Sequence, residues 1–209
     1  MTEPHDHAAP GDVDWDAFYA STDRVWSGDP NGALVAEAAE LPPGTALDVG
    51  CGEGADVIWL ARRGWRTTGL DVAATALARA AQHVADAGLQ VTLLHTDLFG
   101  PALAGMQFDL VSAQYPVLPH EQGRSLAALL DRVAPGGTLL FVHHVLSEAD
   151  LAQRQGLDPA DFLMPGDVRA GLDDAWEVQV FEERPRHVVT GAGAGHAVDL
   201  VLRARRRSG

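Results

Sequence analysis

The sequence predicts an α/β protein built on an open, Rossmann-like, mostly parallel sheet with helices on both faces. Three observations carry that prediction. From Thr45 onward, short apolar runs alternate with stretches of helical periodicity. That is the pattern of βαβ units, whose crossovers are right-handed and whose strands are covered on both faces. Three glycines, Gly50, Gly52 and Gly54, fall within five residues between the first apolar run and the first helical pattern. Near the C-terminus, "WEVQVFEERPRHVV" and "HAVDLVLRARR" flank the glycine-rich link "TGAGAG". Two strand-like runs joined this way read as an antiparallel hairpin finishing a sheet edge.

Taken in order, residues 1–14 are acidic and polar and read as a disordered leader, in which His5 and His7 are solvated tail residues. Trp15, Phe18 and Tyr19 fit a short amphipathic helix. Asn31 to Glu40 fits another, ended by "LPPG" because proline cannot continue a helix. "TALDVG" is a buried strand. Ala55 to Arg63 is a helix stopped by Gly64. "WRTTGLD" is the second strand, and Ala74 to Ala87 a helix with Leu77, Ala81 and Val84 on one face. "QVTLLHTD" and "FDLVSAQ" are the third and fourth strands. Glu121 to Ala134 is read as helix with Leu126, Leu129, Leu130 and Val133 inward, and "TLLFVHHVL" as the fifth strand. A helical stretch near Pro165 to Asp174 precedes the hairpin. The expected organisation is one domain over 15–207: a helical cap to 44, a βαβ core to 146, and a C-terminal helix and hairpin.

Length and composition are those of a water-soluble globular chain. There are 209 residues, 46% hydrophobic and 21% charged. No run of eighteen apolar residues could span a membrane, the N-terminus has no signal-like apolar core, and the single cysteine, Cys51, excludes an internal disulfide. A cytoplasmic protein is expected. The net charge of −14 argues against a nucleic-acid partner, which needs a basic face. Every basic side chain that titrates high is arginine, so no catalytic lysine is available.

The glycine loop lies where open α/β sheets bind ligands, beyond the carboxyl ends of the strands. "GCGEGA" formally satisfies the dinucleotide pattern, with Asp71 at about the ribose-binding distance. A nicotinamide-dependent oxidoreductase is therefore one alternative. Against it, Asp48 immediately precedes the loop, where a carboxylate would repel a pyrophosphate. Asp48, Asp71 and Asp97 fall at or near the carboxyl ends of successive strands, and three converging acids favour a cationic ligand bearing hydroxyls. S-adenosylmethionine has that chemistry: an ammonium, a sulfonium, ribose hydroxyls, an adenine amino group and no phosphate. Asp48 is placed near the ammonium, Asp71 on the ribose and Asp97 on the adenine, with backbone amides after Gly50 meeting the carboxylate.

These residues resemble class I S-adenosylmethionine-dependent methyltransferases. "LDVGCGEG" resembles the first motif of that family, "GLD" the second, "HTDLF" the third, "FDLVSAQYPVL" the fourth and "APGGTLLFVHH" the last. The resemblance implies a seven-stranded sheet with one antiparallel strand, and methyl transfer that releases S-adenosylhomocysteine. "RVWSGDPN" resembles the lead-in of the small-molecule, tellurite-resistance-like and thiopurine-like branches, which implies that Trp26 covers the cofactor. The cofactor-binding set is then Trp26, Asp48, Gly50, Cys51, Gly52, Gly54, Asp71, Val72, Asp97, Leu98 and Gln114. Gly54 could equally serve helix packing, and a helix N-terminus would lower the pKa of Cys51. Asp109, Trp59 and Trp65 read as structural.

Methyl transfer from a sulfonium needs mainly alignment. A general base is required only where the acceptor must lose a proton. His144, His120 and Tyr115 are the candidate catalytic residues, near the ends of the fourth and fifth strands. Because side chains alternate along a strand, His143 and His144 should face opposite ways and at most one should look into the crevice. The expected acceptor is a small molecule, with no metal. A chain that binds the cofactor without catalysing transfer is a further alternative.

Overall fold

The computed structural model describes residues 13–145, 159–186 and 196–209. Most of the expected leader, the "TGAGAG" link and residues 146–158 lie outside the described residues.

Helix α1 (Trp15–Ala20) starts where the Asp14 carboxylate accepts from the Ala17 amide at 2.9 Å, supplying the N-cap the sequence offers. Helix α2 (Gly32–Ala38) stops before the proline pair. Then come β1 (Thr45–Val49), α3 (Ala55–Arg62), β2 (Arg66–Asp71), α4 (Ala74–Asp86) and β3 (Thr92–His95). The chain continues through β4 (Phe108–Gln114), α5 (Arg124–Asp131), β5 (Val133–His144), α6 (Pro165–Ala170), β6 (Trp176–Pro185) and β7 (Val198–Arg206).

The seven strands form one sheet in the order β3-β2-β1-β4-β5-β7-β6. Strands β1 to β5 pair in parallel, and β7 runs antiparallel to both β5 and β6. This is the expected mixed sheet with one reversed strand.

Period-2 alternation sorts the core onto two faces. Leu47, Val49, Val111, Ala113, Leu139, Phe141 and Leu202 pack in one cluster with Leu129 of α5 and Val168 of α6. Their strand neighbours Ala46, Leu110, Leu140, Val142 and Val201 pack in another with Leu34 and Ala38 of α2 and Leu60 of α3. Leu47, Leu110, Leu139 and Leu140 are fully buried, and each such side chain contributes roughly 1.5–3 kcal/mol through lost apolar contact with water.

Two local expectations are corrected. The helix expected from Glu121 to Ala134 is shorter. Residues Glu121–Gly123 form a 3-10 turn in which Gln122 has φ 55°, and α5 ends at Asp131. Val133 belongs to β5, opposite Phe108 of β4. Its spacing from Leu129 suits a helix and the start of a buried strand equally well. On α4 the buried stripe is Ala76, Leu77, Ala80 and Val84, while Ala81 is exposed. Ala80 faces the glycine loop, and that contact turns the helix slightly from the expected face.

Candidate active site

The strand order reverses between β1 and β4, where the crevice of an open α/β sheet forms. A cleft of about 1720 Å³ opens there. One small ligand commonly occupies roughly 300–1,000 Å³, so two molecules fit side by side. Along its rim stand Asp71 of β2, Asp48 and Gly50 at β1, Gln114 and Tyr115 at β4, then His143 and His144 of β5. Strands lie about 4.8 Å apart, which puts the β1 and β5 ends roughly 10 Å from each other.

The β1–β2 end is acidic. Asp48 shares the parity of Ala46, so it points to the α2/α3 face, where Asp56 of α3 also lies buried. Asp48, Asp56 and Asp71 are 2%, 4% and 7% exposed. None has a salt-bridge partner among the described residues. Burial raises the pKa of all three carboxyls, and Asp56 and Asp71 push Asp48 further up. Asn31 relieves Asp56 by donating its amide N–H and Nδ2 at 2.7 and 2.8 Å. Asp71 accepts from the amides of Gly52 at 2.8 Å and Ala73 at 2.9 Å, which offset part of its desolvation. Burial, then the charges of Asp48 and Asp71, push the Cys51 thiol well above its ordinary pKa. The lowering expected from a helix N-terminus is therefore reversed, because burial, with the two acids adding to it, outweighs it.

The loop itself is bare. A Cβ at Gly50, φ +74°, would meet nothing within 4 Å, so its backbone faces open cleft. At Gly52, φ +51°, a Cβ would come 2.8 Å from Tyr19 Oη. Gly54 packs α3 on α4, since a Cβ there would sit 3.0 Å from that of Ala80. The loop amides, expected to meet a ligand carboxylate, are otherwise engaged. Gly50 and Cys51 donate to the Leu70 carbonyl, Gly52 to Asp71 and Gly54 to Cys51.

A residue the motif reading passed over ties the cap to this loop. Glu53, 6% exposed, accepts from the Val25 and Trp26 amides and pairs with Arg79 at 2.8 Å. Burial raises its pKa, but Arg79 and those amides outweigh burial and hold it below the usual range. Trp26 is thereby set over the cleft, its Nε1 donating to Tyr19 Oη at 3.0 Å. An acid inside the glycine motif was the available signal. Val72 and Phe99 are exposed at the rim near Asp97, which accepts from the Phe99 amide, and Leu98 is buried beneath them.

The β5–β7 end is polar and self-paired. His143 and His144 lie on opposite faces by parity, yet both line the cleft, which wraps around the strand ends; the expectation that only one would do so is corrected. Tyr115 Oη donates to Asp199 Oδ2 at 2.7 Å, and His144 Nδ1 lies 3.0 Å from Asp199 Oδ1. Burial and Asp199 raise the Tyr115 pKa, so its phenol keeps its proton and serves as a donor. His120 stands apart from the cleft wall, with Nε2 3.9 Å from Asp167. Asp109 lies at the other end of the sheet, accepting from the Thr45 amide and hydroxyl at 2.7 Å. Trp65 is buried, and Trp59 packs on the same cluster.

Comparison with known proteins places this geometry. The chain is 33% identical over 142 residues to a ribosomal RNA small subunit methyltransferase C of Alcanivorax borkumensis, covering 63% of this chain and 42% of that protein. It is 31% identical over 151 residues to a ubiquinone biosynthesis O-methyltransferase of a Methylobacterium species, covering 71% and 59%. The chain thus spans about half the length of the curated relatives it matches. The fold superposes on the N-methyltransferase NodS of Bradyrhizobium japonicum, solved with S-adenosylhomocysteine, with TM-score 0.68 and 19% identity over 91% of this chain and 95% of that one. No helix among the described residues is long and apolar enough to cross a membrane. A family model described as a methyltransferase domain matches residues 46–137, the segment carrying the glycine loop and its acids.

Proposed function

We propose that the chain moves a methyl group from S-adenosylmethionine to a small-molecule acceptor. The observation that carries this reading is the set of buried acids beside bare Gly50. Burial raises the pKa of Asp48, Asp56 and Asp71, the charges of Asp56 and Asp71 push Asp48 further up, and no cation among the described residues pairs with them, which suits a positively charged ligand and opposes a pyrophosphate. When bound, the cofactor supplies a methyl group on a sulfonium, with its leaving group built in. The chain's own residues then bind and align. Asp48 and Asp71 take up the positive charge and the ribose hydroxyls, Asp97 the adenine amino group, with Val72 and Leu98 flanking it and Trp26 covering. Cys51, Gly52 and Gly54 shape the loop, and Gln114 stands between donor and acceptor.

A net charge of −14 favours a small acceptor over RNA, despite the ribosomal RNA enzyme among the relatives. The same composition supports a cytoplasmic setting. Calorimetric titration tests the reading: S-adenosylhomocysteine should bind, and NAD(P) should not. The reverse result overturns it. Binding with no methylated product from any thiol, phenol, amine or chalcogen oxyanion would leave a binding module instead of an enzyme.

A further inference from the structure

The β5–β7 register places a proton-accepting pair at the acceptor end of the cleft. His144 and Asp199 are direct cross-strand partners, 8% and 6% exposed. A carboxylate only accepts hydrogen bonds. Asp199 Oδ1 against His144 Nδ1 therefore selects the tautomer with the proton on Nδ1 and a lone pair on Nε2. His144 Nε2 bonds to no described residue, and the ring lines the cleft.

The ring is fixed on both faces. It stacks on Tyr115 with centroids 4.1 Å apart and on His196 at 4.0 Å. The Tyr115 contact depends on an unusual backbone. By strand parity Tyr115 would follow Val111 and Ala113 toward the α5 face. With φ +54° its ring packs instead on the Leu140 and Val142 side, against His144. A non-glycine residue held in that region marks a position that the surroundings over-determine. Asp199 is fixed in turn by Tyr115 Oη and by Arg186, whose Nε lies 3.6 Å from Oδ2.

Resting on the methyl-transfer reading, we propose that the acceptor carries a hydroxyl whose proton His144 removes, with Asp199 as the positioning residue. A phenol has a pKa of about 10 and keeps its proton at neutral pH, whereas a chalcogen anion has none to lose. The O–H bond breaks and its proton goes to His144 Nε2. An oxygen electron pair forms the new O–CH3 bond, and the C–S pair returns to sulfur as a neutral thioether. The positive charge thus passes from sulfur to the imidazolium, which Asp199 neutralises.

The test uses the full chain with a panel of phenols, thiols, amines and chalcogen oxyanions, and ¹⁵N spectra of its histidines. His144 should carry its proton on Nδ1, and Asp199→Asn should move it to Nε2. His144→Gln and Asp199→Asn should each lower kcat on a hydroxyl acceptor by about 10²–10⁴-fold, the usual worth of a general base. Affinity for S-adenosylhomocysteine should stay at the wild-type value in both, which also shows that they fold. The charged and titratable groups facing His144 are Asp199, Tyr115, His143, His196 and Arg186. Unchanged hydroxyl turnover in His144→Gln, a wild-type Nε2–H tautomer, or turnover confined to thiols, amines or chalcogens overturns the proposal. So does silence across the panel from a chain that binds S-adenosylhomocysteine. Loss of that binding in the wild type instead removes the methyl-transfer reading, and the tautomer still decides the pair.

Discussion

Carboxylates are buried at both ends of the cleft, and the two ends treat them oppositely. At β1, β2 and α3, Asp48, Asp71 and Asp56 are buried with raised pKa, Asp48 also by the charges of the other two, and their partners among the described residues are neutral donors. At β7, Asp199 is surrounded by a phenol, an imidazole and a guanidinium within 3.6 Å. The first end, on the function proposed above, takes its cation from the ligand. The second is complete in itself and presents an ordered, nearly neutral surface. A site can thus be unstable where it binds charge and rigid where it orients chemistry, because burying an unpaired charge costs stability that only a ligand recovers.

Asp71→Ala should break this contrast most severely. The variant removes the carboxylate proposed to take the ribose hydroxyls and leaves the Gly52 and Ala73 amides without their partner, bonds each worth about 1.5–3 kcal/mol. Affinity for S-adenosylhomocysteine should fall by at least ~10²-fold, since 1.4 kcal/mol is tenfold. Its melting temperature should move much less, because a carboxylate whose pKa burial raises is itself unfavourable in the fold. Wild-type affinity in this variant would mean that the acidic end is not where the cofactor binds.

Glu53→Ala comes next. Glu53, the acid of the glycine loop, pairs with Arg79, so its loss should destabilise by about 1.5–3 kcal/mol. For a chain of this size that is roughly 2–4 °C per kcal/mol. Its pKa is lowered on folding, so its stabilisation is present above the ordinary carboxylate range and fades as pH falls through the lowered value. The gap between wild type and variant in thermal melts should close in acid. Binding of S-adenosylhomocysteine should weaken too, as Trp26 is released from over the cleft.

The contrast between the two ends was only half legible in the sequence. Asp48, Asp71 and the glycines occupy fixed places relative to the first two strands, so local pattern located the acidic end. The residues that build the other end are far apart in the chain: Tyr115, His144, Arg186 and Asp199 meet only through the β5–β7 register. Asp199 sits in an ordinary alternating strand pattern, and nothing local distinguishes it from a solvent-facing acid. Loop hydrogen bonding was also hidden, because a glycine spacing does not say whether its amides point at a ligand or at the Leu70 carbonyl. Val133 was misplaced for a related reason, as one apolar residue after a helix fits either element.

Asp48→Asn should have a smaller effect, opposite in sign for stability and for binding. The folded-state pKa of Asp48 is raised, so its contribution to stability is fully present below the ordinary carboxylate pKa and is lost as pH rises through the raised value. Replacing it should therefore stabilise the free protein at pH 7 by about 1 kcal/mol or more, with the advantage disappearing near pH 4. Cofactor affinity should drop at the same time. Chemical denaturation at the two pH values, beside calorimetry, measures both. A variant that binds better while melting higher would show that Asp48 is a structural burden with no ligand to serve.

Asp109→Ala supplies the smallest effect and the control for geometry. Asp109 is an acid on β4, the neighbour of β1, but at the amino end of the sheet, where its carboxylate ties the Thr45 amide and hydroxyl. Those two bonds hold its pKa below the usual range, so its stabilisation, like that of Glu53, is lost toward acid. Because it is exposed, water replaces much of what is lost, and the cost should be about 1 kcal/mol. Affinity for S-adenosylhomocysteine should not change. If it falls as it does in Asp71→Ala, the acids act through overall charge and not through their place at the carboxyl end of the strands. The division of the cleft into a charge-binding end and a chemistry-orienting end would then lose its basis.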